Sequence, residues 1–589
     1  MKYVLACGLF LLPPLLALPK TPLGPTGTLF AAMLVMLTLT WLAPLAERHL
    51  SSRPWLRTGM AFLFSAILAS WMLGPTLKSW WGTADDHLMV LWLGPDGRLT
   101  FNEAIHMLKT NEYVGGCLSG PPRMLIGCYT IRIGETWLWG DQPGLWYATN
   151  MVVFGLTIFL AWRFLAHYLG SWLGLCATLS LLSYPFWPGV YCRLCAAELW
   201  GALGMGLFLN GAAGLLNTSS LTRPTLRHGP ITGWLLVALG SALAISSKES
   251  FLFMFPLTLG LAFWVWRRRG IGLSGWLLLG LTVLFELFVV IVLAYKLSTA
   301  GQDIYSQSMG TNQRLYVAWG GVIRFLAYKR AGMTLLAALL ISVWWLRRTR
   351  NTARWPAARR DVLYVWLWLA GLFLLYVFTF TAHNGIVYRN SRYYFPMELG
   401  PFGAGLALFW LALRVWRSES LHRMWRVLLT AAFVAAVSAQ AFEGGLRNLR
   451  QMSLKRAAET GALRRLVERT ASRLQPDPER PLLIVCHRWV DAEPATAFCR
   501  YLRHVGVKNP IYLKPPPRIE SHSPLARQVT ESLHQISEKG SNPFQAWSSL
   551  SASARPLTLG FSGHPDPKLG ESLGEAWNMD EGMLASKRP

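Results

Sequence analysis

Charge is what this chain of 589 residues lacks: 15% of its residues are Asp, Glu, Lys or Arg, where soluble globular chains carry about 25%. The shortage argues against a large soluble enzyme and against a disordered chain. The formal charge of +26 does not signal nucleic acid. A nucleic-acid binder gathers Lys and Arg on one water-facing patch, whereas here the cations sit in short clusters between long apolar runs. No glycine-rich phosphate loop and no repeat of fixed period occurs. The single C-x-x-C, Cys192-Arg193-Leu194-Cys195, has the form of a redox or metal motif, but without a second pair it is a weak metal signal. What is abundant is apolar: 53% hydrophobic residues, a mean hydropathy of +0.32 and 29 Trp, a residue that favours membrane interfaces.

Apolar segments lie near 3–18, 27–46, 59–77, 146–168, 170–190, 196–216, 231–247, 251–266, 273–296, 331–346, 362–382, 396–413 and 427–442. Runs of about 20 residues cross a bilayer, so the sequence predicts a polytopic α-helical membrane protein with about thirteen transmembrane helices. The 251–266 and 331–346 runs are short and reach across only with flanking residues or tilt. The first run, after Lys2, reads as a retained helix or as a signal peptide. Val4-Leu5-Ala6-Cys7-Gly8 has the look of a lipoprotein cleavage box but no hydrophobic region before it.

Arginine sets the orientation. Loop 47–58 carries Arg48, Arg53 and Arg57, loop 217–230 carries Arg223 and Arg227, and 267–272 opens with Arg267, Arg268 and Arg269. Loops 347–361 and 414–426 add Arg347, Arg348, Arg350, Arg354, Arg359, Arg360, Arg414, Arg417, Arg423 and Arg426. With thirteen spans all five loops fall on one side, which the positive-inside rule makes cytoplasmic. The opposite face is the periplasm of an inner (plasma) membrane if the chain is bacterial. It receives loop 78–145, the turns near 191–197 and 246–250, loop 297–330, the turn 383–395 and the tail 443–589.

That tail is a different material. Leu482–Cys486 reads as a short buried strand, 493–505 as a helix and Ile511-Tyr512-Leu513 as a second strand. This predicts a small extracytoplasmic α/β domain at about 480–560 with a loosely ordered end. Residues 1–442 form the membrane domain. Six of the eight cysteines fall on the same face in near pairs, Cys117 with Cys128, Cys192 with Cys195 and Cys486 with Cys499. They read either as disulfides of an oxidising compartment or as small buried hydrophobes.

Candidate chemistry gathers on that face. Thr83-Ala84-Asp85-Asp86-His87 follows the third span. Adjacent carboxylates repel, which raises the pKa of at least one and suits a general base; a helix cap or solvated turn is the plainer reading. His87 joins Asp85 and Asp86 as a possible divalent-metal set, with no cofactor certain. Next come two candidate interfacial helices. One runs from Asn102 to Tyr113 with Phe101, Ile105 and Leu108 on one stripe; the other spans 123–138 after Gly120-Pro121-Pro122-Arg123.

The order of these features resembles the first extracytoplasmic loop of the GT-C glycosyltransferases, the polyprenyl-phosphate-sugar-dependent enzymes that include protein O-mannosyltransferases, aminoarabinose transferases and arabinosyltransferases. Three later stretches are similar to family segments. They are Tyr184-Pro185-Phe186 through Ala197-Glu198-Leu199, Ala242 to Lys248-Glu249, and Ser391-Arg392-Tyr393-Tyr394-Phe395-Pro396. Coverage is roughly 78–270 and 383–410. Two hydrophobic segments precede the span leading to Asp85 where many members have one, and Lys248-Glu249-Ser250 replaces the commoner Lys-Gly or Lys-Pro. The resemblance implies transfer of a sugar from an undecaprenyl-phosphate-type donor to the hydroxyl of a glycan, lipid or protein acceptor. It implies Asp85 or Asp86 as base, Lys248, Arg389 and Arg392 on the donor phosphate, and His87, Glu198, Glu249 and Tyr393 in support. Plainer roles stand beside these: Arg389 and Arg392 as headgroup anchors, Glu198 paired with Arg193, His383 as a polar loop residue. Two readings compete with transfer. A transporter or flippase for a lipid-linked or anionic solute would use charges inside spans, of which Glu286 is the clearest. A scaffold presenting the C-terminal domain would leave Asp85-Asp86 unexplained.

Overall fold

The computed structural model describes residues 54–83, 86–94, 96–116, 123, 125–216, 230–299, 311–328, 331–382, 395–418, 446–486, 491–518, 524–550 and 555–561. The expected spans 3–18, 27–46 and 427–442 lie outside these residues. Within them, helices are numbered α1 Pro54–Leu73, α2 Asp86–Val90, α3 Phe101–Thr110, α4 Ile126–Trp139, α5 Pro143–Leu169, α6 Ser171–Leu182, α7 Trp187–Tyr191, α8 Glu198–Leu216, α9 Pro230–Ser247, α10 Met254–Arg269 and α11 Leu273–Thr299. They continue with α12 Thr311–Ile323, α13 Ala331–Thr349, α14 Trp355–Ala382, α15 Leu399–Ser418 and α16 Leu446–Leu474.

Seven helices of the described residues are long and apolar enough to cross a membrane, and α6, α9 and α15 are shorter apolar helices. The chain is thus a helical membrane protein. α11 shows why: Leu277, Leu281, Leu284, Phe288 and Ile291 are exposed at three- and four-residue spacing. A bare apolar stripe of this kind is stable against lipid rather than water. Its other face buries Val289, Val292 and Leu293 against Ile245 of α9.

The 170–190 segment corrects the sequence reading. It is not one continuous helix but two, α6 of 12 residues and α7 of 5, separated at Ser183–Phe186, and together they carry the chain from the end of α5 back to the Asp86 end. Pro185 and Pro188 lack the N–H that would continue the ladder and clash with the preceding turn. At 1.5 Å per residue α6 alone is about 18 Å long, against an apolar core of about 30 Å, so the turn and α7 complete the crossing.

Helix ends sort onto two faces. On one, Lys296 at the end of α11 donates to the Arg123 carbonyl at 3.2 Å, and Gly127 of α4 leaves no room for a Cβ beside Ser246 at the end of α9. Phe395 there packs on Phe186, Trp187 and Phe251 with ring centroids 5.2–5.8 Å apart. On the other face, Arg414 of α15 lies 3.9 Å from Asp361 of α14.

The C-terminal part is a three-stranded parallel sheet in the order β2-β1-β3, with β1 Leu482–Cys486, β2 Ile511–Lys514 and β3 Leu557–Phe561. α17 Ala492–His504 and α18 Pro524–Lys539 supply the crossovers. Strands of this kind pair side by side only through such connections. Sheet and membrane helices share one apolar cluster, which joins Trp81, Met89, Trp146, Tyr147 and Leu194 to Leu463, Val467, Ile484, Phe498 and Tyr501.

Candidate functional site

Asp86 opens α2 and is wholly buried. Its carboxylate accepts from the Gly82 N–H at 3.0 Å, the Leu194 N–H at 3.3 Å and the Tyr147 hydroxyl at 3.3 Å, and it pairs with Arg456 Nη2 at 2.8 Å. Arg456 also donates to Tyr147 at 3.2 Å. Tyr501 of α17 donates to the Gly82 carbonyl. Gly82 is required by closeness: a Cβ there would overlap the Arg456 guanidinium. Burial works against the charge on Arg456, yet the facing Tyr147 and Asp86 oxygens together push its pKa up. The pair is a buried, hydrogen-bonded ion bridge, and removing either partner is costly.

Arg456 arrives on α16, a helix the sequence reading did not foresee. Residues 446, 449, 453, 456, 460, 463, 467, 471 and 474 form one buried or half-buried stripe on it. Along that stripe Ser453 donates to the Met72 carbonyl at 2.7 Å, Thr460 accepts from Trp80 N–H at 3.0 Å, and Arg450 stacks over Trp71 at 4.8 Å. The stripe was readable: a lone arginine on an apolar seam at three- and four-residue spacing demands a buried acid.

A second charged group lies nearby. Arg132 of α4 is fully buried, pairs with Glu135, donates to Asn150 at 3.1 Å and sits 5.8 Å over the Trp200 ring. Burial pushes the Glu135 carboxyl up against the pull of Arg132. Asn150 donates to the Tyr191 and Arg193 carbonyls at 3.2 and 2.9 Å. Glu198, at the start of α8, pairs with Lys248 at the end of α9, and both are buried. Leu194, which touches Asp86, and Glu198 are four residues apart, at most about 14 Å of chain. The segment 191–200 therefore gathers Asp86–Arg456, Arg132–Glu135 and Glu198–Lys248 at one end of the bundle.

Of the other sequence candidates, His87 is buried within α2. Glu249 is half-buried, with Oε2 lacking a hydrogen-bond partner. Asp85, Arg389, Arg392, Tyr393 and His383 lie outside the described residues. The two loop helices are present as α3 and α4, shifted by one to three residues from their expected bounds. A capping box between Thr100 and Glu103 starts α3. Among the described residues no group of three or more His, Cys, Asp or Glu could hold a metal ion. The donor set around Asp86, a guanidinium and N–H or O–H groups, suits an anion and does not fit a divalent cation. Cys192, Cys486 and Cys499 carry free thiols, and Cys117 lies outside the described residues. Glu286, buried in α11, accepts from Ser241 of α9 and from Thr258 of α10 at 2.7 Å. No protein-family model, no curated protein and no solved structure matches this chain.

Proposed function

We propose that the chain is a membrane glycosyltransferase of the GT-C type, working at the extracytoplasmic face on a polyprenyl-phosphate-linked sugar. The observation that carries this reading is the crowding of three buried ion pairs around segment 191–200 at one end of the bundle. Buried charges are expensive near hydrocarbon and mark sites where polar ligands meet the membrane. Their gathering at one end suits surface chemistry on an amphiphilic donor better than passage across the bilayer.

In the proposed reaction the acceptor hydroxyl oxygen bonds to the sugar C1 as the bond from C1 to the phosphate oxygen breaks. The hydroxyl proton passes to a carboxylate, and the lipid phosphate leaves. Asp86 is occupied by Arg456 and three further donors, so we assign the base to the adjacent Asp85 and give Asp86 the task of holding that turn in place. Lys248, Arg389 and Arg392 take the phosphate, where charge accumulates as the bond breaks. Lys248 then shares its charge between Glu198 and the phosphate.

The assay is transfer from a purified polyprenyl-phosphate sugar, with donor binding measured separately. Asp85→Asn should leave folding and donor binding intact and lower turnover by about 10²–10⁴. Asp86→Asn should instead lower thermal stability, because it strands the buried Arg456. Wild-type turnover in Asp85→Asn refutes the base assignment. Glu286, held between three helices, is the observation that favours transport. Movement of a solute across vesicles without binding of any polyprenyl-phosphate sugar would replace the transfer reading with that one.

A further inference from the structure

A polar cleft of about 570 Å³ opens between the first loop and the C-terminal part, lined by Trp80, Asp141, Arg464, Glu468, Arg503 and His504 among others. Its volume falls in the range of about 300–1,000 Å³ typical of small-molecule sites. None of its residues belongs to the Asp86 network.

Part of the wall is held by hydrogen bonds within the chain. Asp141 Oδ1 accepts from the Trp81 indole at 2.8 Å, Oδ2 meets His504 Nε2 at 2.8 Å, and the Asp141 N–H donates to the Gly97 carbonyl at 2.7 Å. The Trp80 ring lies 4.9 Å from that of Tyr501. Arg464 bonds Glu468 at 2.8 Å. Arg503 donates to the Val507 and Asn509 carbonyls, both at 2.8 Å.

The charges balance. The lining includes two carboxylates, Asp141 and Glu468, and two arginines, Arg464 and Arg503, with His504 paired to Asp141. An anion entering the cleft meets the carboxylates, and a cation meets the guanidiniums. An uncharged molecule whose groups both donate and accept can use both sets at once, and hydroxyls do this. Trp80 adds an apolar face for ring C–H groups. We propose that this cleft binds a saccharide of one or two rings. Its role as the acceptor site rests on the transfer reading above; binding itself does not.

The test uses the full chain in lipid nanodiscs with no polyprenyl donor. Cellobiose and N,N′-diacetylchitobiose serve as soluble probes in saturation-transfer NMR, with inorganic phosphate and tetramethylammonium as charged controls. At least one disaccharide should bind, and neither control should compete with it. Arg464→Ala and Glu468→Ala each remove an exposed i,i+4 pair that contributes little to folding. Each should weaken saccharide binding about tenfold or more, since a lost hydrogen bond to a charged group is worth that much. Three results overturn the proposal: no disaccharide binds, phosphate or tetramethylammonium competes, or affinity is unchanged in both variants. Saccharide binding that persists while transfer from any polyprenyl-phosphate sugar fails leaves the cleft assigned and removes only the transfer reading.

Discussion

Arg456 and Asp86 are the pair on which the candidate site hangs. Asp86 stood out in the sequence as half of an acidic doublet, but its partner lies 370 residues away on a helix that carries mostly surface charge. Local pattern shows that a carboxylate is unusual; it does not show which distant cation answers it. Three variants follow from the geometry. Arg456→Ala leaves a buried, uncompensated carboxylate and should cost about 3–5 kcal/mol. Arg456→Met combined with Asp86→Leu should cost less than Arg456→Ala alone, because apolar replacement of both partners removes the stranded charge. Gly82→Ala should destabilise by a similar route, since its Cβ displaces the guanidinium. Thermal unfolding in detergent measures all three. Additive losses in the double variant would show that the two side chains do not act as a pair.

At the scale of elements, what was legible followed the periodicity. The long apolar runs became α1, α5, α8, α10, α11, α13 and α14, and β1, α17 and β2 fell within a residue or two of the segments expected for them. Segment 170–190 was legible as apolar but not as two helices, because its hydrophobicity runs on through Pro185 and Pro188, which composition counts as neutral and the backbone cannot ignore. β3 was missed because Leu557–Phe561 is five residues long with a Thr and a Gly; its strand identity comes from pairing with β1. The β1–α17 unit also settles a choice left open by spacing alone: Cys486 and Cys499 are buried free thiols. Burial pushes the Cys486 thiol from 9.0 up to about 12, and Cys499 rises as well. The folded state therefore keeps protons that the unfolded chain loses. Stability from these groups is full below the unfolded value of 9.0 and fades as pH climbs towards about 12. Wild type should lose thermal stability across that window more steeply than a Cys486→Ala, Cys499→Ala variant. At neutral pH a maleimide should label these two thiols only after unfolding. Rapid labelling of the folded protein would contradict the burial.

For the whole molecule, the decisive property is that one end of the bundle collects the ion pairs, the loop helices α3 and α4, and the arginine-rich α16 with the sheet, while the other carries the short loop and helix ends that hold Arg347, Arg348, Arg350, Arg354, Arg359 and Arg360. Charge asymmetry of this kind orients a helical membrane protein, because Lys and Arg in short loops stay on the cytoplasmic side. Arg347, Arg348 and Arg350, at and beyond the end of α13, are exposed. Glu479, in the turn before β1, is exposed as well and belongs to the α16–sheet unit at the opposite end. The orientation predicts a clear labelling pattern for single cysteines in a background whose exposed thiols have been replaced. In intact cells with a permeable outer envelope, a membrane-impermeant maleimide should react with Glu479→Cys and not with Arg350→Cys. After the inner membrane is opened, both should react. The reverse pattern would place the sheet and Asp86 in the cytoplasm, where nucleotide-linked sugars rather than lipid-linked ones are the available donors, and the proposed chemistry would then lose its substrate. Equal labelling of both sites in intact cells would mean that the short-loop and sheet-bearing ends face one compartment, which the two-faced sorting of helix ends forbids.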